Sequence, residues 1–251
     1  MTTARQAARE EITVKIPVTR ESVPSPHSRP LRVEPRSRSA LLQRVMNLTI
    51  ASIALILVSP VMILFAVLVK LTSAGPIFYS QARVGLDRRR MPAGEDMYDR
   101  RARDVGGSPF MIYKFRTMRT DAEAPHGAVW ATQQDARVTA VGRMMRKYRV
   151  DELPQLFNVI RGEMNIVGPR PERPSIFSQL CDDIGEYPLR QRAKPGITGW
   201  AQVNHNYDTC VEDVRKKVRY DLEYLQRQSM TEDLRIMART LPVMIFNRGG
   251  W

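Results

Sequence analysis

Cysteine is nearly absent, with only Cys181 and Cys210 in 251 residues. They form no Cys-x-x-Cys pattern and have no histidine at ligand spacing, which argues against a zinc site and a disulfide framework and suits a cytoplasmic domain. Histidine is as sparse: His27, His126 and His205 lie far apart and make no Ser/His/Asp arrangement. Aromatic residues are 7% of the chain and do not interleave with its basic stretches, so a stacking platform for nucleic acid is missing. Internal repeats are absent. Acidic residues are outnumbered, 26 against 39 Lys and Arg, for a net charge of +13. That excess calls for an anionic partner: phospholipid headgroups, a phosphorylated substrate or nucleic acid. At 43% hydrophobic, the chain has material for one sizeable domain plus appendages.

Charge is missing altogether from Leu48 to Val69, 22 positions and about 33 Å of helix at 1.5 Å per residue. A helix this apolar is hard to bury on all sides in so small a chain, which points to a membrane segment. Its flanks are both basic. Arg29, Arg32, Arg36, Arg38 and Arg44 precede it, and Lys70, Arg83, Arg88, Arg89 and Arg90 follow. Positive charge marks the cytoplasmic side, and here both ends claim it. Ser59-Pro60 lies near the middle, where proline removes a helical hydrogen bond and the serine hydroxyl can cover part of the freed backbone. A helix bent there, entering and leaving by one face, satisfies both observations; a kinked spanning helix is the competitor. Residues 1–40, rich in Arg, Pro and Ser and without an apolar core, read as a flexible basic arm rather than a signal peptide.

Beyond the apolar run, Gly75 to Gly85 reads as a turn and short strand, and 86–107 as a charged surface loop or insertion. Phe110 to Arg116 resumes strand character, with Phe110, Ile112, Lys114 and Arg116 on one side by two-residue alternation. Arg143, Arg146 and Lys147 align on one side of a helix. Asp151 and Glu152 then stand together, followed by Leu153, Leu156, Phe157 and Ile160 at the spacing of one helical face and by Gly162 where a C-cap belongs. Asp151 therefore reads as the start of that helix. A phosphate bound there would meet nearby cations and the positive end of the helix dipole; the bland alternative makes Asp151 an N-cap and nothing more. Pro169, Pro171 and Pro174 stiffen the next segment and fix where Arg170 and Arg173 point, which suits bidentate capture of phosphate. Val211 to Leu225 and Leu234 to Ile245 read as amphipathic helices, the second begun by a capping box at Ser229-x-x-Glu232.

Taken together, Ser59-Pro60, Gly75-Pro76 with Gln81-Ala-Arg-Val-Gly85, Tyr113-Lys-Phe-Arg-Thr-Met118, Asp151-Glu-Leu-Pro-Gln155, Val167-Gly-Pro-Arg-Pro171 and Lys194-Pro-Gly-Ile-Thr-Gly199 occur in one order. This pattern, over about residues 44–251, resembles the bacterial sugar transferase family, the monotopic phosphoglycosyl transferases acting on polyprenyl phosphate. The resemblance implies a mostly helical α+β fold. A re-entrant membrane helix (41–72) broken at Ser59 and Pro60 would precede a catalytic domain (73–251) with short strands and interfacial amphipathic helices, on the cytoplasmic face of the bacterial inner membrane.

It further implies transfer of a sugar 1-phosphate from a nucleotide sugar, usually a UDP-sugar, to undecaprenyl phosphate, with release of UMP. This is the opening step of exopolysaccharide, capsule or O-antigen assembly. Asp151 would be the nucleophile, and Glu152 would hold Mg²⁺ or assist proton movement. Lys114, Arg116, Arg146 and Arg170, the latter framed by Pro169 and Pro171, would meet the diphosphate, and Asp221 matches a further acidic position of the family. Membrane lipid is an implied partner, nucleic acid is not, and homo-oligomers remain open. Two departures stand out: Asn47 where the family often has Asp, and the length and charge of 86–107. The competing classes are a non-catalytic membrane scaffold and a basic nucleic-acid binder.

Overall fold

The computed structural model describes residues 33–87, 107–120, 122, 135–205 and 210–245. Most of the basic arm and of the charged loop expected at 86–107 lie outside them. Within them the architecture is mostly helical, with two pairs of short strands, as the α+β reading anticipates.

The uncharged run becomes α1 (Ala40–Thr72), capped at Ser39, whose hydroxyl accepts the Leu42 N–H. It is long and apolar enough to cross a membrane. Helical residues continue through Ser59-Pro60, where the sequence predicts a break. Pro60 has no N–H to give the Ile56 carbonyl, and the Ser59 hydroxyl donates to that oxygen at 2.8 Å instead. This local substitution keeps the freed carbonyl satisfied without water, a requirement inside a bilayer. One stripe of α1 (Asn47, Ala51, Met62, Phe65, Val69) is buried, while residues such as Ile56 and Leu57, each 72% exposed, face outward. So much outward apolar surface suits hydrocarbon rather than water.

Both ends of α1 rest on the same body. Near its start, Arg44 donates to the Val159 and Ile160 carbonyls at 2.6 and 2.5 Å. Asn47 Oδ1 accepts the Ile166 N–H at 2.6 Å and its amide donates to the Gln43 carbonyl, so this position works as a neutral hydrogen-bonding residue. Just past its end, Arg116 donates to the Ser73 and Ala74 carbonyls at 2.7 and 2.9 Å. Residues 33–39, read from sequence as the last part of the arm, are tied down as well. Val33 is buried, Arg36 N–H donates to the Leu225 carbonyl, and Arg38 pairs with Asp233 at 2.9 Å.

β1 (Phe78–Val84) and β2 (Pro109–Phe115) form an antiparallel pair in which Phe78 faces Phe115 and Tyr79 faces Lys114. Both faces of β2 are used: Phe110 and Ile112 pack into the main core, and Phe115 packs on the second half of α1. After α2 (Ala140–Lys147) come a 3₁₀ turn (Val150–Glu152) and α3 (Gln155–Arg161), which Gly162 ends in the left-handed region at φ 83°. β3 (Asn165–Val167) pairs in parallel with β4 (Gly196–Thr198). Their backbones press together where only glycine fits, since a Cβ at Gly196 would lie 2.1 Å from Gly168 N. α4 (Pro174–Asp183) and a second 3₁₀ segment (Tyr187–Arg192) lie between them in sequence. The chain closes with α5 (Trp200–Asn204), α6 (Val211–Arg227) and α7 (Met230–Ile245), and Ser229 Oγ accepts the Glu232 N–H as the capping box requires. Leu222, Tyr224, Leu225 and Ile236 of α6 and α7 pack into the core, while Met230, Leu234 and Leu241 stay exposed on α7.

Candidate active site

The acidic pair sits on the short 3₁₀ turn, not at the start of α3. The reading of Asp151 as that helix's first residue or cap is corrected here: α3 begins at Gln155 behind Pro154, and no side chain caps it. The cause is Arg149, which takes left-handed backbone angles (φ 57°, ψ 18°) and swings the chain out of α2 before α3 starts. A non-glycine residue held there costs about 1–2 kcal/mol, so surrounding packing has to hold it. Val150 and Leu153, on either side of the acids, supply that packing against Met62, Phe65, Phe115 and Met145.

Asp151 and Glu152 are both buried, at 8% and 7% exposed, yet their surroundings differ. Glu152 is saturated with charge. Its Oε1 takes Lys114 Nζ at 2.8 Å and Arg170 Nη2, and its Oε2 meets Arg170 Nη1 at 3.3 Å. Burial opposes its charge, but Arg170 and Lys114 outweigh that and hold the carboxyl well below the usual range. Asp151 has no hydrogen bond or ion pair among the described residues. Burial pushes its carboxyl up, and although Lys114 pulls down, Glu152 adds to the rise. Two adjacent carboxyls thus have opposite electrostatic fates, one a fixed counter-ion and the other an unpartnered and more basic group.

Lys114 reaches Glu152 because β2 is clamped to α3. Asn158, fully buried, accepts the Tyr113 N–H at 3.1 Å and donates to the Met111 carbonyl and Glu163. Arg146 feels the charge of Asp151; its Nε donates to Thr117 Oγ1 at 3.0 Å, and burial lowers its pKa while Asp151 raises it. Arg170 is presented by a rigid strap in which successive carbonyls are occupied. Pro169 O accepts from Gly196 N–H, Arg170 O from Arg190, Pro171 O from Arg83 and Glu172 O from Val84 N–H. Pro169 and Pro171 thus flank Arg170 on a strap held at each carbonyl.

Two further predicted site residues are engaged with other partners. Arg116 falls one residue beyond β2, so strand alternation no longer keeps it beside Lys114; its guanidinium clasps the end of α1. Asp221 is 1% exposed and pairs with Arg190, 2.9 Å to Nε and 2.7 Å to Nη2. Arg190, wholly buried, also donates to Tyr187 Oη at 2.7 Å and to the Arg170 carbonyl at 3.0 Å. Asp221 is thus linked to the Arg170 backbone through Arg190. Sequence reasoning passes over Arg190 because it sits in an irregular stretch, between Tyr187 and Arg192, with no periodicity to mark it. Removing one member of a buried pair costs about 3–5 kcal/mol, so Asp221→Asn should lower stability on that scale in chemical denaturation. Glu172 is a further acid missed from sequence, partly buried with its side chain 16% exposed. Burial opposes its charge, but Lys217, Arg190 and Arg83 together draw its carboxyl down.

The described residues contain no cluster of three or more His, Cys, Asp or Glu able to hold a metal alone. The donors present still fit a hard cation such as Mg²⁺, which is satisfied by one or two carboxylates plus substrate phosphate. Glu152 Oε2, engaged only at 3.3 Å, is the oxygen that can be shared.

An outward-facing apolar helix beside a buried acid pair with cations around it fits a membrane-associated protein that handles phosphate. Comparison with known families gives it a place: residues 38–247 match the bacterial sugar transferase model, and the chain belongs to that family. It is 40% identical over 210 residues, 84% of this chain and 45% of the other, to a UDP-N-acetylgalactosamine-undecaprenyl-phosphate N-acetylgalactosaminephosphotransferase of Aeromonas hydrophila. It is 38% identical over 203 residues to a UDP-glucose:undecaprenyl-phosphate glucose-1-phosphate transferase of Escherichia coli K12, covering 80% of this chain and 39% of that one. The chain spans less than half the length of these two relatives. The exopolysaccharide production protein ExoY of Rhizobium meliloti is matched at 34% identity over 86% of this chain and 91% of its own length.

Proposed function

We propose that this protein transfers a sugar 1-phosphate from a UDP-sugar to undecaprenyl phosphate through a covalent intermediate on Asp151, the opening step of an exopolysaccharide, capsule or O-antigen-type glycan. The observation that carries this reading is the contrast within the acid pair: Glu152 is locked by Lys114 and Arg170, and Asp151 is buried, raised and without a hydrogen bond or ion pair among the described residues. An Asp151 carboxylate oxygen attacks the phosphorus bearing the sugar. The bond from that phosphorus to the bridging oxygen breaks, and UMP leaves with that oxygen. A phosphate oxygen of undecaprenyl phosphate then attacks the same phosphorus and displaces the Asp151 carboxylate, giving the prenyl diphosphate sugar. Splitting the displacement in two lets one site serve two substrates in turn. Lys114, Arg146 and Arg170 supply fixed positive charge to the equatorial oxygens, the main demand of phosphoryl transfer. Glu152 would hold Mg²⁺, which would neutralise further charge on the diphosphate.

Asp151 must be ionised to attack, and its carboxyl lies above the ordinary aspartate value. The rate of UMP release with donor alone should therefore have an acid limb above about pH 3.9, rising as pH rises. Stability should move the other way through that window, because the native state disfavours the anion. Glu152 has the opposite sign: the stability it contributes is present above about pH 4.3 and is lost as pH falls through its depressed folded value. A stopped-flow pH profile of donor-only UMP release, set beside a pH series of melting curves, separates the two.

The membrane helix is proposed to be re-entrant, with the domain on the cytoplasmic face of the inner membrane. Support comes from the contacts of Arg44 and Asn47 near one end of α1 and of Ser73 and Ala74 just past the other, all with one domain. The bilayer would part these ends if α1 spanned it. With Cys181 and Cys210 replaced by serine, cysteines at Ser37 and Ser73 should both react with an impermeant maleimide from the cytoplasmic side only. Labelling from opposite sides would establish a spanning helix.

A further inference from the structure

An apolar groove of about 330 Å³ lies between α1 and the hairpin, lined by Leu55, Ser59, Met62, Ala66, Phe78 and Phe157 among others. Met62 and Phe115 line it and also pack with Val150 and Leu153, which flank the acidic pair. Groove and active site therefore share a wall. Phe115 follows Lys114 directly on β2, so the groove lies within a residue or two of the cations around Glu152. Phe78 stacks on Phe115 with ring centroids 5.2 Å apart, and Phe78 and Phe157 remain nearly half exposed. Its α1 wall belongs to the helix whose outer face is apolar and open.

We propose that this groove seats the first isoprene units of the acceptor lipid, holding its phosphate toward Lys114 and Arg146. The proposal rests on the transferase reading and adds a site for the acceptor's tail. An apolar cavity of about 150 Å³ holds one benzene ring, so the groove has room for roughly two branched five-carbon units. Within a bilayer, hydrocarbon gains little by leaving other hydrocarbon, so the groove selects by shape and not by hydrophobicity. A stacked aromatic floor and the small Ala66 suit a methyl-branched chain, while the neighbouring cations attract its phosphate. Straight acyl chains bring the same charge but not the branching.

The test uses the full chain in nanodiscs with a diazirine-bearing prenyl phosphate, and maps the photolabel by mass spectrometry. Label is expected on residues 55–66 or on Phe157, displaced by undecaprenyl phosphate and not by equimolar dioleoyl phosphatidic acid. Ala66→Trp should reduce labelling about tenfold, the scale of filling a hydrophobic subsite. Leu64→Trp, at an outward position that does not line the groove, should leave it unchanged. Label elsewhere, equal displacement by phosphatidic acid, or equal loss in both variants would overturn the proposal. Transfer assayed on the same samples keeps the two ideas apart: prenyl labelling without any transfer would sink the enzymatic reading and leave the groove standing.

Discussion

Asp151→Asn is expected to lower sugar-phosphate transfer by about six orders of magnitude, the scale of losing a covalent nucleophile. UMP release with donor alone should fall equally, because both half-reactions pass through the same carboxyl. The fold should persist. Asp151 caps no helix, and among the described residues it holds no ion pair. Exchanging a buried, unpartnered carboxyl of raised pKa for a neutral amide should leave the melting temperature unchanged or higher. Activity lost with stability kept is the signature of a residue retained for chemistry. If Asp151 served only as a cap, Asp151→Asn would leave transfer and stability both unchanged, since Asn caps a helix about as well as Asp.

The second large effect belongs to Arg170. Arg170→Ala should lower kcat by about 10²–10³, the scale of removing one preorganised donor to developing charge. Arg170→Lys keeps the charge but loses the two-pronged contact with Glu152, and should recover only part of the activity. The stability cost of the alanine variant should stay below the roughly 3–5 kcal/mol of a fully buried pair, because the Arg170 side chain is 31% exposed and Lys114 still faces Glu152. Steady-state kinetics together with urea melts of both variants give these numbers. The pattern differs from that of Asp221→Asn, whose pair with Arg190 is wholly buried and whose effect on stability should be the larger.

Much of this architecture is legible from local pattern. The uncharged run, the strand at Phe78 to Val84, the basic helix before the acids, the left-handed stop at Gly162 and the capping box at Ser229 follow from charge, period and backbone rules acting over a few residues. The acidic pair is legible as chemistry because two carboxyls beside cations make a poor core. What the pattern misreads is geometry set at a distance. Asp151 reads as a helix start because nothing local announces that Arg149 will adopt left-handed angles; that conformation is imposed by packing of Val150 and Leu153 on α1. Arg116 reads as a companion of Lys114 because alternation is extended one residue past the point where β2 ends. Arg190 and Asn158 escape notice because their roles are to hold other segments in place, and their partners are distant in sequence or carried by the backbone. At Pro60, where the sequence predicts a bend, helical residues continue and the Ser59 hydroxyl takes over the vacated carbonyl. Local rules find the elements and the reactive groups, and long-range packing decides which of those groups meet.

The central claim is that the Asp151 carboxyl carries the sugar phosphate between donor and acceptor. Intact-protein mass spectrometry of enzyme mixed with UDP-sugar and no acceptor tests it directly, with peptide mapping of the product. The account predicts a stoichiometric sugar-phosphate adduct on Asp151 that appears with UMP and disappears when undecaprenyl phosphate is added. Full turnover with no adduct at any time, or an adduct mapped to another residue, would contradict it.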